Sequence, residues 1–305
     1  MNDWANSLRA TLVGALVGTA LGIGAFLILT SHQGMGAALF LLVPVAAGFS
    51  VAMVARGRNS ATASGLLSVL ASLVLLIATG KEGLLCAMLC IPIIFAGLGI
   101  GIGLGTAARK LLLERSNHQT TMMSLLLLFG PTLVLTGDSF ERPLLEHPRV
   151  EAIQSSIIVN ARPERVWSNI LSIDSLQARK PLLMYIGLPI PERCTLQAQR
   201  IGAKRTCYFN SGYIEETITE WDPPRRMGLV IDRTHMPGRH WLGFESAEYQ
   251  LEPRANSTVL TRTTVISSHL LPRWYWRNFE RLGVESEHRY ILEDVAQKLA
   301  RSSDQ

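Results

Sequence analysis

Hydrophobic and polar positions divide the chain into two unlike halves. Up to about residue 137 the apolar residues form long unbroken runs; beyond about 150 they alternate with polar ones or recur at helical spacing. Four runs, at 10–30, 35–55, 61–79 and 83–108, reach the roughly 20 residues that a helix needs to cross a bilayer core. A fifth, 121–137, is shorter and carries Gly130-Pro131. Residues 138–149 switch abruptly to charges and two prolines and read as a linker. After it, 151–161 alternates and is rich in Ile and Val, which predicts a strand. Pro163 opens a helix running to about residue 172, since proline suits the first helical position. The stretch 174–191 is punctuated by prolines, with room for a short helix. Five further strands are predicted at 204–209, 212–221, 226–232, 242–252 and 258–267, with Asn210-Ser211-Gly212 and Asp222-Pro223-Pro224 as turns. A long helical pattern closes the chain at about 273–300. The expected architecture is a transmembrane helical region of four to five helices, 1–137, followed by an α+β domain, 150–303, with an antiparallel sheet and segregated helices.

Composition sharpens this division. The 305 residues include 29 Lys or Arg and 24 Asp or Glu, yet only ten of these precede residue 121. The mean hydropathy of +0.23 excludes a disordered chain, which lacks apolar content. The C-terminal half is close to neutral, which argues against nucleic acid as a partner. Basic residues follow the second run (Arg56, Arg58) and the fourth (Arg109, Lys110, Arg115). The positive-inside rule then places the N-terminus and those two loops in the cytoplasm. If the fifth run crosses, the C-terminal domain lies outside the cytoplasm; if it does not, the domain is cytoplasmic. The apolar runs hold no ionisable residue away from their ends, unlike those of pumps and transporters. Gly14, Gly18 and Gly22 form one small-residue ridge, and Gly97, Gly101 and Gly105 another. Such ridges let helices approach closely, within the chain or between copies in a homo-oligomer. Cys86 and Cys90 read as small packing residues. Cys194 and Cys207 can pair only if their domain faces an oxidising compartment.

The segments VNARPERVWSNI, GAKRTCYF, YIEETITEWDPPRRMGLVI, AEYQLEP, VLTRTTVIS and LLPRWYWRNF…HRYILEDV resemble the START-like superfamily, also called SRPBCC or polyketide cyclase/dehydrase-like. The resemblance covers about residues 150–303. It implies a helix-grip fold, in which a curved antiparallel sheet wraps a long C-terminal helix around an apolar cavity. Members bind lipids, sterols, polyketides and other apolar molecules, and a minority are enzymes. The superfamily has no universal catalytic motif, so the resemblance assigns no catalytic residue.

Candidate chemistry is sparse. On the last helix Val284, His288, Ile291 and Val295 share one face. His288 is therefore a polar group on an apolar stripe, either a ligand contact or general base, or a core histidine satisfied by neighbours. Arg233, His235, Arg239 and His240 surround Met236-Pro237-Gly238 and could hold an anionic head group at a cavity mouth, or could be a solvated loop. Tyr213 and Tyr249 could face a cavity or pack in the core. Glu215 with Glu216, and Glu245 with Glu248, have opposite parity and make no acid/base pair. Trp274, Tyr275 and Trp276 between Arg273 and Arg277 suit a membrane interface or ordinary packing. The seven histidines show no metal-ligand spacing, and no cofactor is expected. The leading expectation is a membrane-anchored domain that binds a lipid or other apolar small molecule, with apolar cavity walls and polar groups only at the mouth. The alternatives are an aromatase/cyclase-like enzyme acting on a polyketide- or quinone-like substrate, and a membrane assembly protein.

Overall fold

A computed structural model describes residues 2–30, 36–55, 57–113, 119–171, 173–236 and 242–301. The chain divides into two compact units, residues 1–147 with 269–273, and residues 148–268 with 274–305.

The first unit is helical: α1 (Asn2–Thr30), a short π-helical turn (Ala38–Leu42) leading into α2 (Val43–Val54), α3 (Arg58–Ala78), α4 (Leu84–Leu113) and α5 (Gln119–Leu145). Three helical stretches are long and apolar enough to cross a membrane: Leu8–Thr30, Arg58–Ala78 and Leu84–Leu111. The run expected to span at 35–55 forms a shorter apolar helix, Ala38–Val54. Every residue of α2 from Val43 to Met53 is buried, so it fills the centre of the unit. Glycine makes that position possible. A Cβ at Gly97, Gly101 or Gly105 of α4 would land on the backbone carbonyls of Leu41, Val45 or Phe49. The other ridge behaves alike: Gly14, Gly18 and Gly22 of α1 meet Ser64, Ser68 and Ser72 of α3. There the Ser64 hydroxyl donates to the Thr11 carbonyl at 2.9 Å, and Thr11 and Ser60 share a hydroxyl hydrogen bond at 2.9 Å. Both ridges thus pack against helices of the same chain.

The second unit is a seven-stranded antiparallel sheet with three helices. Its strands are β1 (Arg149–Val159), β2 (Pro191–Leu196), β3 (Lys204–Phe209), β4 (Gly212–Asp222), β5 (Arg226–His235), β6 (Leu242–Arg254) and β7 (Ser257–Ser268). The helices are α6 (Pro163–Leu171), α7 (Leu182–Tyr185) and α8 (Arg273–Arg301). The sheet order is β1-β7-β6-β5-β4-β3-β2. Strands β2 to β7 form a meander, and β1 returns to pair with β7. Register shifts in β4 (Glu215/Glu216 and Ile218/Glu220) and in β6 (Phe244/Ser246) curl the sheet, as bulges do. Strand β2 was not expected from the sequence. It has six residues, begins with a proline and sits at the sheet edge, where proline costs no ladder bond. The α8 stripe Val284, His288, Ile291 and Val295 is buried, as its spacing predicts. One end of the core joins α6 (Val166, Trp167, Ile170) and α8 (Leu292, Val295, Leu299) to the sheet; the other joins Ile153, Leu242, Ile266 and Val284.

Candidate functional site

Strand parity decides what the concave face presents to α8. In β7 the inward positions are Leu260, Arg262, Thr264 and Ile266; in β4 they are Ile214, Glu216 and Ile218. Arg205 and Cys207 of β3 and Tyr249 of β6 point the same way, and all three are buried. Polar side chains therefore cross the middle of an otherwise apolar face. Register aligns them: Arg205 lies opposite Glu216, and Tyr249 opposite Arg262.

The Arg205 Nη1 donates to Glu216 Oε2 at 2.8 Å, with both side chains buried. Arg262 Nη2 pairs with Glu287 Oε1 of α8 at 3.1 Å. The two guanidiniums flank the Tyr249 ring, 5.7 Å and 5.3 Å from its centroid, within cation–π range. Burial alone would push the Arg205 guanidinium down. Glu216 and Tyr249 outweigh it and hold the group above its ordinary value. The same contest, with Glu287 as the main partner, holds Arg262 above its ordinary value. Each ion pair leaves donors over. Arg205 Nε and Arg262 Nε and Nη1 are buried and have no hydrogen-bond partner.

His288 adjoins this belt and is 0% exposed. Its Nε2 shares a 2.8 Å hydrogen bond with the Thr264 hydroxyl, and its Nδ1 a 3.1 Å hydrogen bond with the Ser155 hydroxyl. Burial, reinforced by the nearby Arg262 charge, pushes its pKa from 6.5 to about 2. A ring so desolvated, with both nitrogens occupied, is poorly suited to proton transfer near neutrality.

The residues singled out from sequence separate into two places. His288 and Tyr249 belong to the buried belt. Tyr213 and His235 stack face to face, 5.2 Å apart, where β4 and β5 pair near one end. Arg233, opposite Glu215 in that register, is exposed. Arg239 and His240 lie outside the described residues. The expectation of polar groups only at a cavity mouth is corrected: two arginines, Glu216, a tyrosine and a histidine are buried in the middle of the grip, with Glu287 half-buried beside them. Sequence reading missed Arg205, Glu216, Arg262, Glu287, Ser155 and Thr264. Their signal was parity, because Arg262 alternates in step with Leu260 and Ile266, and Glu216 with Ile214 and Ile218.

Four further features are relevant to function. Cys194 and Cys207 face each other in register across β2 and β3 and form a disulfide. Trp274 at the start of α8 is 75% exposed, whereas Trp276 is core. Among the described residues no group of three His, Cys, Asp or Glu could hold a metal ion. The helical unit has its own cavity of about 110 Å³, lined mainly by apolar side chains such as Phe26, Leu39 and Leu73.

No curated protein matches the chain. Several solved structures resemble about half of it. One is a protein from Nitrosospira multiformis, 17% identical, covering 51% of this chain and 100% of that one, with a TM-score of 0.34. Another is a protein from Arthrobacter aurescens, 18% identical, covering 50% and 91%, with a TM-score of 0.35. A third is a point mutant of a Thalictrum norcoclaurine synthase with a transition-state analogue, 10% identical, covering 51% and 98%, with a TM-score of 0.35. A family model described as polyketide cyclase / dehydrase and lipid transport matches residues 151–300. With a curled seven-stranded sheet gripping α8 over that same span, the C-terminal half of the chain belongs to this START-like superfamily.

Proposed function

We propose that the C-terminal domain binds a lipid or another apolar small molecule between its sheet and α8, and that the N-terminal helices hold it at the membrane in which such a molecule dissolves. The observation that carries this reading is the union, in one chain, of a lipid-transport-family domain with three helices long and apolar enough to cross a bilayer. Tethering raises the local concentration of a membrane-dissolved ligand. In this reading Tyr249 and His288 border the ligand. Tyr213, Arg233 and His235, where β4 and β5 pair near one end of the sheet, meet a ligand on entry, and Arg239 and His240 are assigned the same role from their place in the sequence alone. Native mass spectrometry of the full-length protein in detergent tests it. A co-purifying lipid-like mass at fixed stoichiometry is the expected result. An empty protein from a lipid-replete host, still empty after incubation with added lipids, refutes it.

The domain is further assigned to the extracytoplasmic side. The Cys194–Cys207 disulfide supports this, because such bonds persist in oxidising compartments. The basic residues after α2 and α4 support it too, if α2 and α5 cross together with the three longer helices.

A further inference from the structure

The ion pairs on the concave face do not use all of their donors. A guanidinium carries five N–H groups. Left without partners are one on Arg205 Nε, one on Arg262 Nε and two on Arg262 Nη1. Both residues are more than nine-tenths buried. Buried polar groups in folded proteins are almost always satisfied, so these N–H groups are waiting for acceptors. The two guanidiniums also repel each other across the Tyr249 ring. An acceptor that brings donors of its own, such as a hydroxyl, answers only part of this need. A carboxylate offers acceptors alone, about four lone-pair sites on two oxygens. Its two oxygens can accept from N–H groups of both guanidiniums at once, and its charge relieves the repulsion between the two cations.

We propose that the ligand of this domain is an apolar acid, its carboxylate held by the free N–H groups of Arg205 and Arg262 beside Tyr249. The proposal rests on the reading that the domain binds an apolar molecule. The surrounding apolar side chains, Leu229, Leu251 and Leu260 among them, supply the environment for a hydrocarbon body. Glu216 and the Ile170 carbonyl engage Arg205 Nη1 and Nη2, and Glu287 engages Arg262 Nη2, which fixes both guanidiniums and leaves Arg205 Nε and Arg262 Nε and Nη1 for the ligand.

The test uses the full-length protein in a nonionic detergent, incubated separately with palmitate, methyl palmitate and hexadecanol. Adducts are counted by native mass spectrometry for wild type, Arg205→Lys and Arg262→Lys. The expected result is a one-to-one palmitate adduct at roughly tenfold higher occupancy than the ester or the alcohol. The lysine variants keep the charge but lose the free N–H groups, so the occupancy ratio of acid to ester should fall towards one. Equal occupancy by all three probes in wild type overturns the carboxylate assignment and leaves the binding reading standing. Loss of acid and ester alike in the lysine variants, with the fold intact, also overturns it, because the arginines then act on packing. No adduct with any probe removes the binding reading and this proposal with it. Should a lysine variant fail to fold, the wild-type preference for acid over ester decides alone.

Discussion

Acid should weaken this protein through His288 in particular. The ring is fully buried and both nitrogens are engaged by the Thr264 and Ser155 hydroxyls. Its pKa falls from 6.5 to about 2, first through burial and then through Arg262. Below pH 6.5 the unfolded chain therefore takes up a proton that the native state refuses until about pH 2. Stability drops with falling pH across that window, by about 1.4 kcal/mol per pH unit. Between pH 6.5, where the unfolded-state ring is half protonated, and pH 4.5 the loss is about 2.3 kcal/mol, worth roughly 5–9 °C of melting temperature for a domain of about 150 residues. His288→Gln keeps a side-chain amide within reach of Thr264 and cannot titrate. Full-length wild type and H288Q are melted in detergent at half-unit pH steps, followed by tryptophan fluorescence. H288Q should start lower at pH 7, because an imperfect fit in a closed core costs stability, and should then lose less as the pH falls. Parallel melting curves for the two proteins from pH 6.5 to 4.5 would refute the argument, since His288 would then protonate as readily in the native state as in the unfolded one.

Three other outcomes follow from the same physical reasoning. Glu216→Leu leaves Arg205 charged and unpaired in the core and should cost about 3–5 kcal/mol, whereas Arg205→Met with Glu216→Leu should recover most of that loss in a denaturant titration. A double variant as unstable as the single one would mean that the pair is not a closed unit. Gly101→Ala drives a Cβ into the Val45 carbonyl and should abolish a monodisperse detergent-purified protein, while Gly103→Ala, with open space around it, should leave the elution profile unchanged. In a Cys86→Ala/Cys90→Ala background, a mass-tagged maleimide should label denatured protein from intact cells only after reduction; labelling without reduction would contradict the disulfide.

Most of the fold was legible because each half obeys a single periodicity. Unbroken apolar runs marked the helices, and alternation marked β1 and β3 to β7. The burial of α2 was not legible, because a helix apolar on every side looks the same whether it faces lipid or protein. What distinguishes it is glycine on its neighbour: Gly97, Gly101 and Gly105 pack against its backbone, a pairing that no single helix reveals. His288 and Tyr249 were found because a polar group on an apolar stripe stands out. Arg205, Glu216 and Arg262 did not stand out, because a charge on a strand ordinarily marks the solvent face. Which face is buried depends on register, and the bulges in β4 and β6 shift register part-way along.

The polar belt is difficult to explain as a stability device. A buried ion pair rarely improves on well-packed hydrophobic residues of the same volume, because desolvation consumes most of the Coulomb gain. Here two such pairs share one tyrosine, and donors are left over. A domain that needed only an apolar reservoir would do better with leucine at 205 and 262. The belt therefore fits discrimination between ligands better than storage. A site of buried donors rejects a molecule lacking acceptors, because those donors then stay unpaired, while an aliphatic lining accepts hydrocarbon bodies of many shapes. If the domain binds an apolar acid as proposed, it selects by head group and tolerates variation in the tail. Acids that differ by several methylenes should compete for the domain within about tenfold of one another, whereas the ester of any one of them should not compete. A steep dependence on chain length together with indifference to esterification would reverse the assignment of roles between belt and lining.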